Sequence, residues 1–224
     1  LHPKMEYRHL NYLGTEGKVS LSELTDEEIR RLRYVNYDRD YTQFGLCTFD
    51  EVLDRFKGRC YINVDKFWEN PREISDAIRA HGMENQIIVK TSPKAELFDI
   101  IEEYAPEIQY LPILKNDNGV HEELMRRNIN YVGAEVVFNS EENYVGTTDF
   151  IEKLHSAGKL VWANAIIYNY KVQLAAGHSD DTSLTVDPDL GWGWLADRGY
   201  DIIQTDWVLA MRQYLESTGK RQRK

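Results

Sequence analysis

Cysteine is nearly absent: Cys47 and Cys60 are the only two in 224 residues. Two thiols build neither a disulfide framework nor a zinc signature, so they leave the compartment open. Cationic side chains are also in deficit, 27 Lys and Arg against 37 Asp and Glu, for a net charge of −10. That balance argues against a nucleic-acid partner, because phosphate backbones recruit Lys and Arg. An anionic small-molecule substrate would need a local cation or a metal to offset the surrounding field. No apolar run approaches the roughly 20 residues that span a bilayer. There is no low-complexity segment, no long Pro/Gly/Ser linker and no signal peptide. One domain over 1–224 is therefore expected, and the start at Leu1 rather than Met is read as the interior of a longer gene product. The dense basic run, Lys220, Arg221, Arg223 and Lys224, reads as a solvated terminus.

What is present is an alternation of short apolar runs with amphipathic stretches. The runs 60–65, 86–90, 108–114, 131–138, 159–164 and 201–205 are continuous and rich in Val, Ile and Tyr. That pattern fits strands buried on both faces of a parallel sheet. The stretches between them carry helix signals. Thr25 with Glu28 spells a capping box, and Thr48 precedes a helix over 49–56 with Gly58 beyond its end. Pro71 opens a helix that Gly82 closes, and Thr147 or Thr148 caps one that ends at Gly158. A last helix is expected from about Val208 to Leu215. Six strands alternating with helices predict an α/β fold, with a doubly wound sheet and a barrel both open on pattern alone.

Five stretches in order resemble the glycerophosphodiester phosphodiesterases of the phosphatidylinositol-phospholipase-like barrel superfamily. Leu1-His2 with Arg8 and Asn11 is similar to the family's "HD...DRT.N" segment, and residues 48–53, TFDEVL, to its "TLEEVL". Residues 62–66, INVDK, look like its third strand, Val161-Trp162 like the "VWT" of its seventh, and 199–206, GYDIIQTD, like its "GvDgIiTD" eighth. The resemblance implies a (β/α)8 TIM barrel whose first one or two strands lie outside this chain. It implies metal-dependent hydrolysis of glycerophosphodiesters to an alcohol and glycerol phosphate. In that frame His2 is the general acid or base and Asp65 a ligand to a divalent cation, Ca or Mg. Arg8 braces the loop or meets substrate. Enzymes that cleave phosphatidylinositol or sphingomyelin are the nearest rival within the superfamily.

The departures are as specific as the matches. The family's "HRG" and "ExD" motifs do not occur, Pro3 follows His2, Asp65 replaces a Glu, and Phe67 stands where a lysine is usual. Either those motifs lie upstream, or the chain is a non-catalytic, ligand-binding relative.

Several residues carry chemistry on their own account. Lys90 ends an apolar strand where a substrate phosphate would sit, and its charge would stabilise a phosphoryl transition state. Glu135 interrupts the apolar run 132–138, so it needs a partner such as Lys90 or an exposed strand end. Trp162 and Asn164 share one strand face, offering an apolar wall and a polar contact. The connection 177–192 is long for one between consecutive strands, and its His178 and Asp180 are expected to contact substrate or to organise a lid.

Overall fold

The computed structural model describes residues 10–11, 21, 24–36, 38, 40–168 and 171–221. His2 and Arg8 lie outside them. By its contacts the chain divides into two compact units, 1–56 and 57–224.

In the first unit, β1 (Leu10–Asn11) pairs antiparallel with β2 (Arg33–Tyr34). Between them lies α1 (Asp26–Arg31), started by a complete capping box: Thr25 accepts from the Glu28 amide while Glu28 accepts from the Thr25 amide. The same reciprocity between Thr48 and Glu51 opens α2 (Phe49–Phe56).

The second unit holds all six expected strands: β3 (Ile62–Val64), β4 (Ile87–Thr91), β5 (Gln109–Leu114), β6 (Gly133–Val136), β7 (Leu160–Asn164) and β10 (Ile202–Gln204). Every pairing is parallel, and the spatial order is the chain order, β3-β4-β5-β6-β7-β10. This topology decides between the two architectures left open above. Right-handed crossovers that always step the same way put every helix on one face, whereas a doubly wound sheet reverses direction to cover both. The sheet is the curled, six-stranded arc of a barrel. Among the described residues it closes no ring of eight strands, so the full (β/α)8 barrel expected from the resemblance is seen only in this part.

The helices follow their sequence signals. Pro71 is the first residue of α3 (Pro71–His81), and Gly82 ends it at φ +59°, where an L side chain would be strained. The connections also contain α4 (Ala95–Tyr104), α5 (Val120–Leu124) and α6 (Thr148–Ser156), the last capped by Thr147. The chain ends in α9 (Val208–Ser217). Phe150, Ile151 and Leu154 of α6 pack with Leu114, Ala134, Val136, Val161 and Ala163 from the outward-pointing strand positions. Each buried Leu, Ile, Val or Phe among them contributes roughly 1.5–3 kcal/mol. Between β6 and β7 the backbones approach so closely at Gly133 that a Cβ there would lie 2.2 Å from the Leu160 carbonyl oxygen.

The opposite face carries a smaller cluster, Ile88, Leu111 and Trp162. The strand pairing places Lys90 beside Leu111 on β5, and Glu135 beside Trp162 on β7. Alternation along each strand then gives this inner face Ile88 and Lys90, Leu111 and Ile113, Glu135, Trp162 and Asn164.

The long connection from β7 to β10 carries secondary structure of its own. It forms a hairpin, β8 (Ile167–Tyr168) against β9 (Val172–Gln173), then α7 (Asp180–Thr185). A π-helical turn (Asp189–Gly193) and α8 (Trp194–Arg198) complete it. No helix among the described residues is long and apolar enough to cross a membrane.

Candidate functional site

Three strands of the sheet, β4, β6 and β7, bring four polar or aromatic side chains together toward their C-terminal ends, on the face away from the helices. Lys90 of β4 reaches across β5 to Glu135 of β6, with Nζ 2.5 Å from Oε2. The other carboxylate oxygen accepts from Asn164 Nδ2 of β7 at 2.8 Å. The same ammonium sits 3.9 Å from the centroid of the Trp162 ring. Lys90 is 9 % exposed, Trp162 8 %, Glu135 6 % and Asn164 1 %. The parallel register makes this possible, since strands about 4.8 Å apart let a lysine stem span one intervening strand. Burial of an ion pair costs desolvation energy that its Coulomb attraction only partly offsets, so the arrangement is not a cheap way to stabilise a sheet.

One donor in the group is left over. The Trp162 indole N–H is buried and has no hydrogen-bond partner among the described residues. A buried, unmatched N–H costs on the order of 1–3 kcal/mol, which a ligand acceptor would recover.

Asp65 directly follows β3, whose Val64 pairs with Val89, so its backbone emerges at the end where Lys90 lies. Its side chain is exposed. Phe67, at the family's lysine position, is fully buried and belongs to the core. The divalent cation implied by the resemblance finds a poor donor set here. Among the described residues no group of three His, Cys, Asp or Glu side chains is arranged to hold a metal ion, and Glu135 is already taken up by Lys90 and Asn164. A single carboxylate does not fit a hard cation that prefers six or more oxygens.

His178 and Asp180 have other work. Asp180 is 3 % exposed and accepts from Trp192 Nε1 at 2.7 Å, Thr205 Oγ1 at 2.7 Å and the Asp206 amide at 2.9 Å. Its own amide donates to the Ala165 carbonyl at 2.7 Å. The residue ties the start of α7 to the ends of β7 and β10, leaving little capacity for substrate. His178 stacks on Trp194 at 3.5 Å between centroids, with its ring nitrogens 2.6 Å from the Leu190 carbonyl and 3.0 Å from Glu141. Arg198 covers the same indole at 4.2 Å and pairs with Glu141. Both residues organise the 174–206 segment. Trp192, Thr205 and Asp206, the partners of Asp180, gave no sign of this role in the sequence beyond the Thr-Asp that ends the last strand motif.

The arc of parallel strands, helices on one face and polar side chains at the C-terminal strand ends define an α/β-barrel type of protein. Its structural neighbours are glycerophosphodiester phosphodiesterases. A glycerophosphoryl diester phosphodiesterase from Parabacteroides distasonis ATCC 8503 superposes with a TM-score of 0.70 at 17 % identity, over 94 % of this chain and 68 % of that one. A glycerophosphodiester phosphodiesterase from the same organism gives 0.57 at 13 %, over 92 % and 76 %. A family model described as a domain of unknown function matches residues 110–215. No curated protein matches.

Proposed function

We propose that the protein hydrolyses glycerophosphodiesters to an alcohol and glycerol phosphate, with the phosphodiester held over the inner-face cluster. The observation that carries this reading is the pairing of an ammonium with a spare N–H at the C-terminal strand ends. Lys90 Nζ meets Glu135, while the Trp162 indole N–H has no partner among the described residues, and a phosphoryl oxygen accepts from both kinds of donor. Lys90 would stabilise charge that grows on the phosphoryl oxygens, and Glu135 would keep its ammonium in place. Asn164 fixes the Glu135 carboxylate. His2 is assigned to proton transfer and Arg8 to substrate on the resemblance. Asp65 stands where the resemblance places a ligand to a divalent cation, and as a lone carboxylate it does not make a site for one.

A second reading has its own support: a barrel that binds phosphodiesters without cleaving them. The lone carboxylate at the metal position favours it. Calorimetric titration with glycerophosphoglycerol, alongside release of glycerol phosphate with Mg2+ or Ca2+, separates the two. Release that drops by about 10²-fold in Lys90→Met supports the hydrolase, the usual cost of removing one transition-state donor. Binding with no release replaces it with the binding protein. Neither binding nor release would remove both.

A further inference from the structure

The cluster that would meet the phosphate is also a cation cage, and the protein fills it with its own ammonium. A carboxylate beside an aromatic face is the chemistry by which proteins recognise quaternary ammonium groups. Trp162 and Glu135 supply those two walls, both more than nine-tenths buried, on adjacent strands in direct register. Lys90 Nζ occupies the space between them, 3.9 Å from the ring centroid and 2.5 Å from the carboxylate. Asn164 holds the remaining carboxylate oxygen, so Glu135 has no idle side to turn toward a second cation.

We infer that this self-occupied cage sets head-group specificity: the site takes phosphodiesters whose alcohol is an uncharged or anionic polyol and rejects those bearing choline or ethanolamine. This rests on the phosphodiester reading above. A cationic head group entering here meets an ammonium instead of an aromatic face, and the carboxylate that would attract it is already neutralised. A neutral polyol loses nothing by Lys90 and gains a donor. Lys90 then has two roles, charge toward the phosphate and exclusion of a rival cation, and Glu135 is a positioning residue acting through it.

The test has two independent arms. In the first, the unaltered protein is titrated with glycerophosphoglycerol and with glycerophosphocholine. The former should bind at least about tenfold more tightly, the order of one cation–π contact denied to the latter. Equal affinity would overturn the inference while leaving the phosphodiester reading intact. In the second arm, Lys90→Ala empties the cage, and tetramethylammonium chloride is the probe. The variant should show saturable quenching of tryptophan fluorescence and a raised melting temperature that the parent does not, both abolished by adding Trp162→Leu. A parent and variant that respond alike, or a variant that does not respond, would sink the proposal. Should Lys90→Ala not fold, Lys90→Ala/Glu135→Gln leaves no buried charge and keeps the aromatic face open. Tetramethylammonium must then still quench it, more weakly, or the cage does not exist. If neither diester binds the parent, the phosphodiester reading fails and the tetramethylammonium arm alone decides the cage.

Discussion

Two buried carboxylates lie at the same end of the same sheet and are satisfied in opposite ways. Asp180 takes its hydrogen bonds from neutral donors, an indole, a hydroxyl and a backbone amide, on two separate pieces of the chain. Glu135 takes one from an ammonium and one from an amide, both rising from strands of the sheet itself. The first arrangement saturates an acid and knots loops together. The second leaves a charged partner at the face where ligands bind in parallel α/β sheets, beside an unmatched N–H. Burial of an acid is therefore a poor guide to function by itself; the identity of its donors is the better one.

The sharpest way to break this contrast is to remove the cation. Lys90→Met keeps the stem and strands Glu135 as an uncompensated buried charge, which should cost about 3–5 kcal/mol in urea unfolding. Lys90→Met/Glu135→Leu should recover most of it, because no charge remains to be desolvated. A single variant as stable as the parent would mean that Glu135 is not held as a charged partner of Lys90.

Asp180→Ala should cost less, about 2–3 kcal/mol, since its donors are neutral and some can turn to water. Its loss should be regional. Hydrogen exchange should quicken across 174–206, while α3 and α4 keep their protection. Uniform acceleration across the sheet would show that Asp180 supports more than its own knot.

The smallest effect concerns a third buried group of the opposite type. His121 packs edge-on against Tyr131, with Nδ1 3.2 Å from its hydroxyl. Burial and then the Lys153 ammonium hold its pKa below the ordinary 6.5, with Asp117 and Glu122 pulling the other way and Lys159 adding to the depression. The native state thus keeps the imidazole neutral where the unfolded chain protonates it. Its contribution to stability is complete above about pH 6.5 and is lost as pH falls toward the depressed native value. Urea midpoints of the parent should fall between about pH 7.5 and 5.5, and those of His121→Gln should fall less. Equal slopes would place the proton on His121 in the native state.

The sheet was readable from the sequence because each strand is a short apolar run, and α3 and α6 were readable because Pro71, Gly82 and Thr147 act locally and declare themselves; α4 and α9 have no side-chain cap. The partnership of Glu135 with a cation was also readable, since a carboxylate in an apolar strand has few other options. The 174–206 segment was not. Its helices run six, five and five residues, too short for an apolar period to emerge, and its stability comes from Asp180 contacts spanning up to 26 positions. Asp180 and His178 were open to contact with substrate or to organising a lid, because an acid and a histidine in a long loop fit either role; only the partners around them reveal a clasp. The indole N–H left without a partner had no sequence signal at all, because it depends on what surrounds Trp162 in space.

The matching of spatial order to chain order has a consequence for how the molecule assembles. Each strand of the sheet pairs with the one completed just before it, so the arc can grow by one strand and helix at a time as the chain emerges from the ribosome. Pairing never has to wait for a distant strand, and the entropy of closing long loops is met in small instalments. The clasp on Asp180 breaks this rule, because Thr205 and Asp206 arrive about 25 residues after it. It can tighten only when the last strand has docked, which makes the 174–206 segment the final piece to set.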